Sequence, residues 1–578
     1  MKNQRQQYEV LRGQLDLERS SFLPHWRDLA EFIAPRRPRF TITDVNSGER
    51  RSSNIIDGSA TYAMRTLRSG MMSGVTSPAR QWFRLSMPDP ELSEFGPVKD
   101  WLYTVGQRMS TIFLKSNLYN SLPIVYGDMG TFATGAMLVE EDEREILRTF
   151  PIPVGSYFIA NNEKLQVETF MRDFQMTVYQ IVEKFGRMPN GQQGINWENI
   201  SSHVKSLWDS GETEARIDVC HCIHKNEQWQ PGALQSKFKK YKSVYYERGN
   251  SGNPGATYMM GSDSAKMLRE SGYDFFPILA PRWEVTGEDS WGNNCPGMEA
   301  LGDIRQLQFG ERKQAKAIDK MIDPPMTGPT SLRNAKTTIL PGDVTFVDDR
   351  SGGGFRAAHE VRFDINALEM KQQQIRQRIS RAFFEDLFLM LANSDRRQIT
   401  AREIDERHEE KLLALGPVLE QLNQDLLDPL IDIGFSLMQS RGLIPPPPEE
   451  IAGQDLKIEY ISLMAQAQKM IGIGSIERFA GFASQVIAVD PTAAMKVDTE
   501  QMLDVYADIL SVPPGIIRTD EAVADMKAQQ EQAAQARARA EQIPQMAMAA
   551  KDLSQTELSG DTALNRIVEA AASGAIQQ

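Results

Sequence analysis

The sequence predicts a mixed α/β protein in which helices predominate. Over several long stretches, apolar residues recur every three to four positions, which is the spacing of amphipathic helices. Between residues 134 and 282 the pattern changes to short runs of β-branched and aromatic residues, which are typical of strands. The chain has 578 residues, whereas a single hydrophobic core stops growing at about 250–300 residues. We therefore expect several cores.

Helices dominate the predicted structure of the first 131 residues. Pro35 should end the first helix, because a proline inside a helix removes a hydrogen bond. A short strand is predicted at residues 82–85, where two aromatic residues are followed by Arg84 and Leu85. The predicted helices cover residues 5–34, 55–73, 98–115 and 119–131.

The strand-rich part follows and contains one helix. That helix should cover residues 178–185 and end at Gly186, since glycine commonly follows the last helical turn. A stretch rich in Gly and Ser at 248–261 predicts a loop. Strands are predicted at residues 136–139, 156–159, 167–170, 217–223 and 243–246.

Two long helices that bracket a compact insert form the most informative arrangement in the sequence. The first helix is predicted over residues 296–322, and Pro324 and Pro325 end it. The insert at 326–361 is rich in Gly, Pro and Thr, which predicts strands and turns. A second helix should begin near Asp364. Its apolar face consists of Leu368, Ile375, Ile379 and Ala382.

A long helical pattern is predicted after an irregular stretch at 391–398. The pattern covers residues 400–442 and begins with a capping box, in which Thr400 and Glu403 satisfy early backbone N–H groups. Pro417 and Pro429 lie inside the pattern, so we expect a kinked helix or two abutting helices.

Four consecutive prolines at 445–448 predict a stiff extended linker, and hence a boundary in the chain. Helical patterns continue beyond this linker, and the segments after residue 520 are rich in Ala, Gln, Glu and Arg. The predicted helices cover residues 463–470, 476–488, 495–510, 529–542 and 562–572.

The composition restricts the classes of function. The formal net charge of −13 argues against a protein that wraps nucleic acid by neutralising many phosphates, but not against one past which DNA slides. The first residues are polar, and no stretch approaches the ~20 apolar residues that span a bilayer. We therefore expect no membrane contact. Three cysteines give no disulfide framework, which fits assembly in a reducing cytoplasm.

No group of residues is typical of an enzyme. The chain has no G-x-x-x-x-G-K-[ST] motif, which a motor ATPase needs to hold phosphates. Acidic pairs such as Glu140-Glu141 and Asp348-Asp349 have no accompanying Lys or His in a recognisable nuclease arrangement. We predict no catalytic residue and no cofactor.

Cys220, Cys222 and His224 form the candidate metal cluster of the sequence. In a strand these alternate side chains share one face. A structural zinc site uses four ligands, and no second Cys/His cluster supplies the remainder. We therefore expect no metal site, and two half-buried cysteines in a strand.

Five segments resemble the head-to-tail connecting (portal) proteins of T7-like short-tailed bacteriophages. They occur in the order found in that family and cover roughly residues 11–448. They are Trp26-Arg27-Asp28-Leu29-Ala30-Glu31-Phe32-Ile33-Ala34-Pro35, Ser77-Pro78-Ala79-Arg80-Gln81-Trp82-Phe83, Phe150-Pro151-Ile152-Pro153-Val154-Gly155-Ser156-Tyr157, Pro281-Arg282-Trp283-Glu284-Val285 and Thr400-Ala401-Arg402-Glu403-Ile404-Asp405-Glu406-Arg407.

The resemblance implies a phage portal fold with a wing, a two-helix stem, a clip and a crown. Mapped onto this sequence, the wing covers residues 1–290, the first stem helix 291–323, the clip 324–362, the second stem helix 363–385 and the tunnel loop 386–399. The long kinked wing helix and the proline linker cover 400–448, the crown 449–519, and a helical C-terminal extension 520–578.

The resemblance also implies a function and a set of partners. A portal is a non-enzymatic dodecameric ring at one capsid vertex, through which double-stranded DNA is packaged, retained and ejected without sequence specificity. The implied partners are the terminase large subunit, which would supply the energy, then the tail adaptor protein, and the major capsid and scaffolding proteins. A tail collar or adaptor is the alternative, and a metal-dependent enzyme acting on nucleic acid is a third hypothesis.

Five basic residues are the candidates for contact with DNA in such a channel. Lys371, Arg378 and Arg381 fall on one side of the second stem helix, and Arg396 and Arg397 lie in the predicted tunnel loop. Repeated around a ring, such cations would touch phosphates weakly and without sequence preference. The alternative is that these arginines pair with acidic residues of the neighbouring subunit.

Overall fold

The structure of the protein is a computed structural model. It describes residues 4–44, 48–89, 92–93, 95–188, 194–233, 235–248, 263, 265–322, 326–327, 356–357, 365–394, 415–451, 453, 456–462, 479–489, 496–499, 501–503, 506, 523 and 526–535. The loop predicted at 248–261, the capping box at Thr400 and the helices predicted at 463–470 and 562–572 lie almost entirely outside these residues.

The described part is mixed α/β and mainly helical, as predicted. Its principal helices are α1 (Gln4–Ser20), α2 (Leu23–Phe32), α3 (Ser59–Gly74), α4 (Gly96–Lys115), α5 (Leu118–Phe132), α6 (Val178–Phe185), α7 (Ser202–Asp209), α8 (Pro296–Ile322), α9 (Ile365–Ala382), α10 (Glu385–Ser394), α11 (Gly416–Leu422) and α12 (Asp428–Ser440). Its strands are β1 (Phe83–Ser86), β2 (Met137–Asp142), β3 (Ile146–Pro151), β4 (Tyr157–Asn161), β5 (Val167–Thr177), β6 (Arg216–Lys225), β7 (Tyr241–Glu247), β8 (Arg269–Tyr273), β9 (Ile278–Leu279), β10 (Met326–Thr327), β11 (Arg356–Ala357) and β12 (Lys457–Tyr460).

Two helices, α1 and α2, replace the single helix predicted over residues 5–34. Pro24 lies in the first turn of α2, where its missing N–H leaves no helical hydrogen bond unmade. In a continuous helix the same proline would remove a bond, and its ring would clash with the preceding turn. The helix therefore breaks at Ser21 and Phe22 before α2 begins.

The main hydrophobic core joins the N-terminal helices to α8. Trp26 of α2 meets Trp291, just before α8, edge to face with ring centroids 4.9 Å apart. Helix α5 runs through this core and ends at Ala133, whose positive φ of 65° stops the helix. Gly297 of α8 packs against the backbone of Thr131, where a Cβ atom would be too close. These contacts fix the start of α8 in the body of the protein.

A five-stranded antiparallel sheet has the order β4-β5-β6-β7-β8, and a second sheet has the order β3-β2-β9. Helix α1 covers one face of the larger sheet, where Tyr8 and Leu15 pack against Phe158 and both sheet cysteines. The other face packs against α6 and α7. Strands β3, β8 and β9 and helix α7 were not predicted; β8 is polar and β9 has only two residues.

Helices α8 and α9 form an antiparallel hairpin, which we call the helical hairpin (residues 296–322 and 365–382). Asp303 near the start of α8 pairs with Arg378 near the end of α9, at 2.8 Å. At the far end, Met326 of β10 pairs with Ala357 of β11. The two predicted long helices are therefore neighbours, and a β ladder connects them where the predicted insert begins.

The prediction of an irregular stretch at 391–398 is wrong for its first four residues, because α10 continues to Ser394. Phe388 of α10 is buried against α3, where a Cβ atom at Gly70 would overlap its ring. This contact holds the segment in a helix at the start of the predicted tunnel loop. Residues 395–399 lie outside the described part of the chain.

The predicted kink before Pro429 takes the form of a π turn at Asn423–Leu427, between α11 and α12. Beyond the proline linker, β12 pairs with β1, with Tyr460 opposite Phe83. Ile451 is also buried in the main core. Ile451 and β12, which the resemblance assigns to the crown, therefore pack against elements of the predicted wing.

Candidate nucleic-acid interface

The helical hairpin has an anchored half and an exposed half. Near the body, Ile304 and Leu307 of α8 are buried together with Ile375 and Ile379 of α9. Beyond Gln308, no residue of α8 is buried among those the structure describes. A single chain therefore presents about half of each long helix to its surroundings.

A polar network fixes the hairpin at the boundary between these halves. The Gln308 side chain accepts hydrogen bonds from the backbone N–H groups of Ile56 and Asp57 at 2.7 and 3.0 Å, and donates to the Asp57 carbonyl oxygen at 2.7 Å. Arg376 of α9 pairs with the carboxylates of Asp57 at 2.9 Å and Glu311 at 2.6 Å. Because α8, α9 and the segment before α3 share this network, neither helix can turn independently.

The charge of Asp57 is maintained in this network. Burial would raise the pKa of its carboxyl group, but the hydrogen bonds from Ser59 and the ion pair with Arg376 outweigh burial and lower that pKa. The network is therefore ionic at neutral pH.

The predicted DNA-contacting residues differ in their surroundings. Lys371 and Arg381 are exposed on α9. Arg378 is 55% exposed and pairs with Asp303 of the same chain at 2.8 Å, so an acidic partner from a neighbouring subunit is not needed. Arg396 and Arg397 lie outside the described residues. Contact with DNA stays a prediction for all five.

A second group of cations, on α8, was not predicted as a DNA contact. Arg312, Lys316 and Lys320 are spaced by four residues, so they lie on one face of the helix, and Lys313 is adjacent to them. All four side chains are exposed. Their four-residue period within the helix predicted over 296–322 is the signal that could have identified them from the sequence.

Helix α9 and the exposed half of α8 are basic in an acidic chain. Residues 309–322 of α8 contain four basic residues (Lys or Arg) and two acidic residues (Asp or Glu). Residues 365–382 of α9 contain four basic residues and one acidic residue. Mobile cations of this kind attract phosphates without reading bases.

Large apolar side chains lie among these cations. Phe309 is 63% exposed and Ile322 is 79% exposed, and Met321 and Met370 are also exposed. Lys313 lies over the ring of Phe309, with its Nζ atom 5.2 Å from the ring centroid. Apolar side chains in such a group are typical of surfaces that are covered in an assembly.

The cysteines of the candidate metal cluster lie in the core of the larger sheet. Cys220 and Cys222 are fully buried rather than half-buried, and they pack under α1 in the core of the sheet. Burial raises the pKa of the Cys222 thiol to about 12, which leaves it protonated. His224 instead makes a 3.0 Å hydrogen bond with the hydroxyl of Tyr8. Among the described residues, no three His, Cys, Asp or Glu side chains converge as metal ligands would.

No helix in the described part of the chain has the length and apolar character to cross a membrane.

Comparison with known proteins identifies relatives over nearly the whole chain. Residues 5–517 match the family described as "Bacteriophage head to tail connecting protein". The chain is 46% identical over 570 residues to the portal protein of Salmonella phage epsilon15, covering 98% of each chain. It is 40% identical over 559 residues to the probable portal protein of Bordetella phage BPP-1, covering 96% of this chain and 97% of that one. Neither match favours a tail collar or adaptor.

Proposed function

The chain belongs to the family of bacteriophage head to tail connecting proteins, and from this premise we propose that its helical hairpin lines a channel for double-stranded DNA. It is a portal, or head-to-tail connector, subunit and a component of the virion at the junction of head and tail. The family implies a structural, ring-forming oligomer with capsid and tail partners. The resemblance seen in the five sequence segments is confirmed.

The ring should be closed by the exposed halves of neighbouring hairpins. Phe309, Met321, Ile322 and Met370 expose apolar surface in one chain, and each would lose that exposure against the next subunit. The polar network around Gln308 and Arg376 would set the angle at which every hairpin leaves the body. We infer a dodecamer in which α8 and α9 form the stem.

Weak contact with phosphates is the role we assign to the cations. Arg312, Lys316 and Lys320 would form belts around the channel together with the exposed Lys371 and Arg381. The net charge of −13 limits tight binding elsewhere on the chain, so DNA would slide. Arg378 is the weakest member of the set, since Asp303 already neutralises it. Arg396 and Arg397 would contact DNA from the tunnel loop.

The remaining assignments follow from the order of the elements along the chain. The segment between α8 and α9 would be the clip, which faces the terminase large subunit during packaging and a tail adaptor afterwards. The five-stranded sheet and the N-terminal helices would be the wing, in contact with the major capsid and scaffolding proteins. The ring would assemble in the host cytoplasm before it joins the virion.

The basic hairpin in an acidic chain is the observation that carries this proposal, and a triple substitution tests it. Arg312→Gln, Lys316→Gln and Lys320→Gln together remove the cations from one face of α8 and leave the polar network around Gln308 and Arg376 unchanged. The matched control is Lys205→Gln, Arg216→Gln and Lys237→Gln, which removes three exposed cations from α7, β6 and the segment before β7.

Rings of both variants should look alike by negative-stain microscopy. Only the hairpin variant should package DNA poorly or lose it after packaging in an in vitro prohead assay. Its affinity for duplex DNA should also depend less on salt. The slope of log affinity against log salt concentration should be less steep by up to about 0.9 for each phosphate that the variant no longer neutralises. Equal packaging, retention and salt slopes in the two variants would show that these cations do not meet DNA.

A further inference from the structure

A row of polar side chains crosses the middle of the five-stranded sheet, away from the hairpin. Strand register places Arg172 of β5 opposite His221 of β6, His221 opposite Tyr245 of β7, and Tyr245 opposite Arg269 of β8. Directly opposed residues of antiparallel strands lie on the same face of a sheet. The Lys184 side chain of α6 lies over the Tyr245 ring of this row. We call these five residues the basic row.

Aromatic rings hold the cations of the basic row in place. The His221 and Tyr245 rings stack with centroids 3.8 Å apart and an angle of 9° between their planes. Over the Tyr245 ring, the Lys184 Nζ atom lies 4.9 Å and the Arg269 Cζ atom 5.2 Å from its centroid. The Arg172 guanidinium lies 4.7 Å from the centroid of the Phe174 ring. Lys184 and Arg269 are therefore held over one tyrosine, and Arg172 lies over Phe174 of its own strand.

Within the described part of the chain, no ion pair balances the positive charge of the basic row. Among the residues that the structure describes, Arg172, Lys184 and Arg269 make no ion pair within 4.0 Å. Glu140 of β2 interacts electrostatically with Lys184 and offsets part of this positive charge, but it forms no ion pair with these three cations.

Four polar atoms of the basic row are buried without a hydrogen-bond partner. They are Arg172 Nε, His221 Nδ1, the Tyr245 hydroxyl and Arg269 Nε. His221 and Tyr245 have no solvent exposure at all, so water at the surface does not satisfy them. A buried polar group without a partner costs free energy, and four in one row point to a missing ligand.

The pKa shifts of His221 and Lys184 agree with an excess of positive charge in the basic row. Burial lowers the pKa of His221 well below its usual value, and Arg172, Lys184 and Arg269 lower it further. Burial likewise lowers the pKa of Lys184, and Arg269 and Arg172 add to that effect despite the opposing influence of Glu140. Like charges held this close favour the uptake of an anion.

We propose that the basic row binds a phosphate-class oxyanion, to which Arg172, Lys184 and Arg269 donate charged hydrogen bonds and Tyr245 donates its hydroxyl. Guanidinium groups match the geometry of phosphate oxygens, and this chemistry needs no base recognition. A cleft of about 600 Å³ is lined by Lys184 of the basic row, by Phe174 of β5, and by Gln180 and Glu183 of α6. The phosphate could belong to a nucleic-acid backbone or be free inorganic phosphate, and the site does not depend on the channel proposal.

Titration calorimetry on the full chain tests the site, with inorganic phosphate as the probe. Potassium chloride keeps the ionic strength equal in all titrations. Lys184→Gln removes an exposed cation, and Tyr245→Phe keeps the ring while removing the hydroxyl, so both variants should fold. Lys205→Gln is the matched control, because Lys205 also lies over an aromatic ring, that of Trp197 on the same side of the sheet.

We expect saturable phosphate binding by the parent chain. Its affinity should fall about tenfold or more in Lys184→Gln and about three- to tenfold in Tyr245→Phe, the usual effects of losing a charged and a neutral hydrogen bond. Lys205→Gln should bind like the parent. Absence of saturable binding in the parent, or equal affinities in all four proteins, would overturn the proposal.

A competition experiment identifies the source of the phosphate. Duplex DNA bound by the parent ring is challenged with inorganic phosphate at constant ionic strength. Displacement in the parent but not in Lys184→Gln would assign the row to a nucleic-acid backbone. Saturable phosphate binding without displacement would assign it to the free ion. Both results support a phosphate site, and neither depends on the hairpin.

Discussion

The buried ion pair between Arg282 and Asp425 supports a quantitative prediction. The Arg282 side chain is 3% exposed and that of Asp425 is 8% exposed. Arg282 donates to both carboxylate oxygens, from Nε at 2.9 Å and from Nη2 at 3.0 Å, and Nη2 also donates to the Leu165 carbonyl oxygen. Asp425 lies inside the π turn between α11 and α12, so this pair fixes an irregular helix to the strand-rich part.

Substitution of Arg282 by methionine should weaken this joint strongly. Removing one partner leaves the Asp425 carboxylate buried and unpaired, and such changes cost about 3–5 kcal/mol. At about 1.4 kcal/mol per tenfold change, amide exchange in the π turn should accelerate by roughly two to four orders of magnitude. Hydrogen exchange with mass spectrometry over residues 415–440 measures this effect directly. A local readout is needed because a chain with several cores does not unfold in one step.

The double variant Arg282→Met with Asp425→Leu provides the internal control. Replacing both partners by apolar groups removes the unpaired charge, so most of the protection should return. The reasoning would be refuted if Arg282→Met changed the exchange rate less than threefold, or if the double variant exchanged as fast as the single one.

Two further predictions concern titration and assembly. Burial raises the pKa of Asp428, and burial with repulsion from Asp428 raises that of Asp432. The folded state then binds protons more tightly than the unfolded state, so this stability is present at low pH and is lost as pH rises from the usual 3.8 through the raised values. Asp432→Asn should therefore stabilise the chain at neutral pH and flatten the pH dependence of urea unfolding; an unchanged pH profile would contradict this. Phe309→Asp should leave the circular dichroism of the chain unchanged but reduce ring formation in light scattering, whereas the equally exposed Tyr62→Asp serves as control; full ring formation by Phe309→Asp would contradict the proposed hairpin contact.

Elements with strong local signals were predicted well. Helix α8 has the predicted bounds because its apolar stripe is long and prolines flank it. Helix α6 begins after Thr177, whose side chain accepts from the Gln180 N–H in a capping box, and it is followed by Gly186 as predicted. In these places the local sequence alone selects the structure.

Elements that depend on distant contacts were missed. Strand β8 has the sequence Arg-Glu-Ser-Gly-Tyr, which is polar, and it is a strand because β7 supplies its hydrogen bonds. Strand β12 depends in the same way on β1, from which it is separated by more than 350 residues. The basic row could not be predicted for the same reason, because its members come from four strands and a helix and no spacing along the chain relates them.

The β ladder between β1 and β12 determines which elements resist a force applied to the chain after β12. A force applied at Ser462 would act on β12 before it acts on the proline linker and α12. There it is shared by four residue pairs with β1, by the salt bridge between Arg84 and Glu459 at 2.6 Å, and by the hydrogen bond from Tyr460 to Asp428. A force that reaches Ser462 is therefore passed to β1 and from there to the helix that packs on it, α4.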